Sequence, residues 1–129
     1  LIRLGLENRI SRYFTTEEIL PAAGQGILAV QGREGMDYSF LEEYGDPDSW
    51  AAGQAERAFV RYLDGGCSSP VAAYGEIREG ALFLTGLYYR EEDGTYIKGS
   101  ISGDAEEAEA LGAALAERLK ESKEKGEQI

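Results

Sequence analysis

Apolar residues recur along this chain with two different periods. From Asp46 to Leu63, in "DPDSWAAGQAERAFVRYL", Ala52, Ala55, Phe59 and Leu63 fall three or four residues apart and mark one face of a helix. Asp46 can cap it with Pro47 in the first turn, or Asp48 and Ser49 can do so. Gly65 and Gly66 offer the left-handed residue that ends many helices. The pattern then turns strand-like in "VAAYGEI", "ALFLTGLYY" and "TYIKGSIS", which are linked by "REG" and "REEDG". Asp93-Gly94 suits a type I′ hairpin, whose two central residues need positive φ, and links this short favour an antiparallel sheet. Gly103-Asp104 opens a last helix, with Asp104 as cap, Glu107 three residues on, and a buried stripe of Ala108, Leu111, Leu115 and Leu119. The tail "KESKEKGEQI" is charged on all sides and is expected to fray.

The first part of the chain is less regular. In "LIRLGLENRISRY", Ile2, Leu6 and Ile10 fit one helical face, although Gly5 weakens that reading and an extended start fits as well. "TTEEILP" offers Thr15 or Thr16 as a cap, but Pro21 limits it to a short turn. In "AAGQGILAVQGR" the glycines 24 and 26 flank Gln25 and feed an apolar run, Ile27 to Val30, that reads as a short buried strand. A connector follows, with one short helix around Ser39 to Tyr44. Helix, three antiparallel strands and helix predict an α+β domain with both helices on one face of the sheet. The predicted division is 46–129 for this C-terminal domain. Residues 1–45 do not close a core of their own and are expected to be a remnant of N-terminal domains, the end of an incomplete α/β domain, plus a connector.

Composition narrows the function. The chain has 129 residues, room for one domain with a modest core or one domain plus a piece of another. A formal net charge of -11 repels nucleic acid and anionic membranes unless cations are concentrated locally. The absence of histidine removes Ser-His and Cys-His pairs and the usual zinc ligand, and no metal-ligand spacing appears. No apolar run is long enough to span a bilayer, no signal peptide is evident, and one cysteine cannot form an internal disulfide. A cytoplasmic setting fits. The chain starts at Leu1 and its single methionine is Met36, so a fragment of a longer protein is expected.

Three groups could carry chemistry. Cys67, after Gly65-Gly66, is a potential carbon nucleophile that the glycines leave open to a bulky group. On spacing alone, a small buried residue in a turn is the preferred reading. The loop "PAAGQG" could bind an anion through bare N–H groups and the Gln25 amide, though a tight turn explains it as well. Arg3, Arg9 and Arg12 could pair with an acidic ligand, or simply form a solvated face. Tyr88, Tyr89 and Tyr96 fall on the sheet, where cross-strand packing accounts for them.

Taken together, "LIRLG", "LPAAGQGILAVQGR", "AERAFVRYLDGGCSSPVAAYGEI" and "LTGLYYREEDGTYIKGSISGDAEEAEALGAALAERL" resemble, in order, the C-terminal end of the hydroxymethylbilane synthase (porphobilinogen deaminase) family. The resemblance runs through essentially the whole chain, and the chain covers less than half of the family's length. It implies a transferase of tetrapyrrole (haem) biosynthesis that polymerises four porphobilinogen units into hydroxymethylbilane. It implies that Cys67 holds a dipyrromethane cofactor through a thioether. A thiolate suits that role, since porphobilinogen that has lost ammonia presents an electron-poor methylene carbon. By the same resemblance Arg3 and Gln25 contact the acidic side chains of cofactor or substrate, and Gly66 and Ser68 flank the anchor. The aspartate that assists proton movement, and most of the arginines, belong to domains outside this chain. No catalytic residue is therefore expected here, and the chain alone should be inactive, monomeric and without cofactor, with a free thiol at Cys67. Two rivals from other classes remain. One is a double-stranded-RNA-binding-like module with the same α-β-β-β-α order, which the acidic "DAEEAEA" opposes. The other is an interaction domain that has kept the fold and lost the chemistry.

Overall fold

The computed structural model describes residues 1–63, 71–90 and 94–125. Helix α1 (Pro47–Tyr62) precedes strands β1 (Val71–Arg78), β2 (Ala81–Arg90) and β3 (Thr95–Asp104), and helix α2 (Ala108–Lys125) follows them. The strands form an antiparallel meander in the order β1-β2-β3. This is the predicted α+β arrangement.

The register explains how the helices share one face. Gly75 pairs with Leu84, Gly86 with both Ala73 and Gly99, and Leu82 with Gly103, so these residues all point to the same side. The helices lie on that side. A Cβ at Gly75 would stand 3.2 Å from the Cα of Ala52 in α1, and one at Gly103 would stand 2.9 Å from Leu111 in α2. One at Gly86 would collide with the Phe59 ring. Phe59, Leu82, Leu84, Leu115 and Leu119 are fully buried between the layers, so the core belongs to the helix–sheet–helix unit. On the opposite side of the sheet Tyr89 and Tyr96 pair directly, with ring centroids 4.7 Å apart.

Local signals set the element ends. Asp46 is the cap of α1, accepting from the Asp48 N–H (3.2 Å) and the Ser49 hydroxyl (2.6 Å), with Pro47 in the first turn. The link from Arg78 to Ala81 is Glu79-Gly80 at φ 51 and 79, the positive pair of a type I′ turn. The hairpin predicted at Asp93-Gly94 lies partly outside the described residues; Gly94 has φ 70. The last helix begins later than its sequence suggests. Gly103 and Asp104 complete β3, a single 3-10 turn occupies Ala105–Glu107, and α2 proper opens at Ala108. Asp104 still caps, accepting the Glu106 N–H at 2.9 Å, but it does so as the last paired residue of the strand, opposite Ala81.

Before Asp46 the only helical segments are single 3-10 stretches, at Ile2–Leu4, Glu7–Arg9 and Ser39–Tyr44, with hydrogen-bonded turns between them and no strand. Gly5, left-handed at φ 67, breaks the helical face expected for the first segment. Thr15 and Glu18 form a reciprocal capping box: the Thr15 N–H donates to Glu18 (3.0 Å) and the Glu18 N–H to Thr15 Oγ1 (3.3 Å). Only a turn follows that box. The buried strand expected at Ile27 to Val30 is absent, and Leu28 and Val30 are 92% and 76% exposed. Strand residues need a neighbouring ladder for their N–H and C=O groups, and no described strand pairs with this segment.

Candidate functional site

The helical period of α1 carries Ala52, Ala55 and Phe59 into the core, and Glu56 goes with them. Its side chain is a carboxylate on an apolar stripe, and the residue is only 4% exposed. Oε1 accepts the N–H of Gly75 in β1 at 2.7 Å, and Oε2 accepts the N–H of Gly24 at 2.6 Å. Burial pushes this carboxyl above the ordinary glutamate range, while the two N–H donors pull it back. Glu56 therefore joins three segments: the helix, the first strand and the glycine–glutamine turn.

That turn is closed on itself as well. The Gln25 N–H donates to the Ala22 carbonyl (3.0 Å), the Ile27 N–H to the Gly24 carbonyl (3.1 Å), and the Ala22 N–H to the Gln25 side-chain oxygen (3.1 Å). Gly24 and Gly26 take φ 74 and 86, which favours glycine at both. Ala23 packs against the core, and Ile27 Cδ1 lies 3.3 Å from where a Cβ on Gly53 would stand. Gln25 itself is exposed. Its oxygen is engaged, no hydrogen bond among the described residues takes its amide nitrogen, and no Cβ at 24 or 26 stands in the way.

Cys67, Gly66 and Ser68 lie outside the described residues. Their segment joins Leu63, at the end of α1, to Val71, at the start of β1. Leu63 is two helical turns beyond Glu56, about 10 Å along the axis. Val71 is four residues before Gly75, about 13 Å along the strand. Both roots of the Cys67 segment are thus set by elements that Glu56 grips. Arg3 lies exposed in the Ile2–Leu4 turn, and no hydrogen bond or ion pair among the described residues joins it to Gln25. Arg9 is exposed too, and Arg12 pairs with Glu18, as suits surface residues. Among the described residues no group of three metal-ligating side chains occurs, and no helix is long and apolar enough to cross a membrane.

Residues 50–121 match the family model described as "Porphobilinogen deaminase, C-terminal domain". This chain belongs to the porphobilinogen deaminase family. Residues 1–40 match a second model, "Porphobilinogen deaminase, dipyromethane cofactor binding domain". Among relatives that bear the family name, the protein of Alkaliphilus oremlandii is 52% identical over 120 residues, covering 93% of this chain and 40% of that protein. That of Ruminiclostridium cellulolyticum is 50% identical over 117 residues, 91% of this chain and 40% of that protein. That of Thermus thermophilus is 44% identical over 119 residues, 90% of this chain and 40% of that protein. The chain therefore spans about two fifths of the length of the relatives it matches. Gln25 falls in the stretch that matches the cofactor-binding model and Glu56 in the C-terminal one, so the Glu56–Gly24 bond ties one matched stretch to the other. Sequence reasoning missed Glu56. The signal was its place beside Ala55 on the buried stripe of α1, where a carboxylate must have partners.

Proposed function

We propose that this chain is the C-terminal part of a hydroxymethylbilane synthase, the porphobilinogen deaminase that joins four porphobilinogen units into hydroxymethylbilane in tetrapyrrole biosynthesis. In that reading Cys67 anchors dipyrromethane through a thioether, with Gly66 and Ser68 shaping the anchor. The observation that carries the reading is that both family matches fall in one chain, cofactor-binding stretch first, with Gln25 in one and Cys67 in the other.

The described residues suit such a group along its acidic edge. Pyrroles bearing acetate and propionate need N–H donors, and the Gln25 amide, flanked by glycines with open space where a Cβ would stand, offers one. Arg3, exposed and charged, can pair with a second carboxylate. When bound, the cofactor supplies the pyrrole carbon to which substrate units are added. The contribution of this chain is to tether it, to orient its carboxylates through Gln25 and Arg3, and to keep the turn in place. The missing domains would supply the proton-handling aspartate and most of the arginines. Alone, the chain is inactive and keeps a free thiol. The complete enzyme would work as a cytoplasmic monomer. Charge does not favour the RNA-binding reading, since Glu106, Glu107 and Glu109 stand exposed where α2 begins.

The test is intact mass of the full-length protein. It should exceed the sequence mass by two linked pyrroles, and Cys67→Ser should remove both that increment and turnover. Normal turnover of porphobilinogen with serine at this position would defeat the proposal.

A further inference from the structure

The geometry points to Glu56 as a positioning residue that holds the Ala22–Ile27 turn, and with it the Gln25 amide, at a fixed place relative to the roots of the Cys67 segment. It rests on the function proposed above, because Gln25 matters only if the turn faces cofactor or substrate.

Three observations carry it. First, Glu56 is expensive where it stands. The rest of the α1 stripe is apolar, and among the described residues the carboxylate has no counterion, only two neutral N–H donors. An apolar residue would leave the N–H groups of Gly24 and Gly75 without this acceptor, so the charge stands here as a junction of turn, helix and strand and not as filling for the core. Secondly, the internal bonds of the turn define its shape but not its location. Location depends on Glu56, aided by the packing of Ala23 and Ile27 on the helical layer. Most of the chain before Asp46 is exposed and adds little further hold. Thirdly, the carboxylate grips β1 at the same time, through Gly75. One side chain therefore fixes the distance from the turn to the helix and the strand that emit the Cys67 segment. A carboxylate suits this because each oxygen accepts one bond, whereas an amide would offer one acceptor and set its NH2 against an N–H.

The experiment uses the full-length, cofactor-bearing protein. Glu56→Gln should leave the two-pyrrole mass increment in place, raise KM for porphobilinogen about tenfold and change kcat little. Gln25→Ala should raise KM similarly, and the double variant should be no worse than the poorer single one, because Glu56 acts through Gln25. Amide exchange at Gly24 should speed up in Glu56→Gln while the β2 amides stay protected. Should that variant fail to fold, Glu56→Asp, which keeps the charge but withdraws it by one methylene, is expected to raise KM in the same way. An unchanged KM, or effects of the two sites that simply add, would overturn the positioning role. Absence of the mass increment from the wild-type protein would instead overturn the function proposed above.

Discussion

Glu79 stands at φ 51, a left-handed conformation that costs an L-residue with a Cβ roughly 1–2 kcal/mol. The two-residue link between β1 and β2 requires it, because both central positions of a type I′ turn need positive φ. Asparagine tolerates this region far better. Glu79→Asn should therefore stabilise the fold by about 1 kcal/mol in urea denaturation, with no change in the slope of the transition. A loss of stability would mean that the link is built differently. The sequence "REG" set the length of this link, and hence the antiparallel pairing, but not which residue would carry the strain. Asp93-Gly94 has better chemistry for the same geometry and drew the prediction instead. Glu56 was hidden for a similar reason. Its residue type says surface, while its position three before Phe59 and four after Ala52 says core. Position prevailed because the N–H groups of Gly24 and Gly75 were there to receive it.

Elements meet most closely where α2 crosses α1. A Cβ on Gly112 would run into the carbonyl oxygen of Ala55. In an isolated helix Gly112→Ala would gain about 1 kcal/mol. In this fold the helices would have to separate, and a net loss of about 2–3 kcal/mol is expected, visible as a lower midpoint in thermal or urea unfolding. A more stable alanine variant would contradict this close approach. The periodicity of both helices was legible, as was each buried stripe, because a 3.6-residue repeat of Ala, Leu and Phe admits no other face. Which small residues would lie at the crossing was not legible, since it depends on how two ridges interlock. The strand expected at Ile27 to Val30 fails on the same ground. An apolar run suggests a strand, but only a partner ladder makes one, and this run has none among the described residues.

For the molecule as a whole, acid should act in two opposing ways. Hydrogen bonds from Ser39 hold Asp37 below its ordinary value, the Ser49 hydroxyl does the same for Asp46, and Arg78 does so for Glu76. Their contributions are present above the ordinary carboxylate values and are lost as pH falls through the lower folded ones. Glu56 runs the other way. Burial raises its carboxyl, so between the ordinary value of 4.5 and the higher folded value the folded chain binds a proton that the unfolded chain has released. Its contribution is greatest at low pH and declines as pH rises through that window. Unfolding midpoints measured from pH 4.5 upward should show this decline, and Glu56→Gln should flatten it. An identical slope in the variant would mean that Glu56 is not the group responsible.

Taken alone, the order of residues determined a great deal: helix, three-stranded meander and helix, the caps at Asp46 and Asp104, the buried stripes, and the family whose motifs these stretches carry. Each of these follows from contacts between near neighbours in the chain, or from a pattern that repeats at a fixed step. Only the tertiary structure decided that Glu56 would draw Gly24, thirty-two residues away, and Gly75, nineteen away, onto one carboxylate. No local period encodes that junction. A buried charge is tolerable only where the folded chain brings donors to both oxygens, and the donors here are backbone groups that look alike at every position.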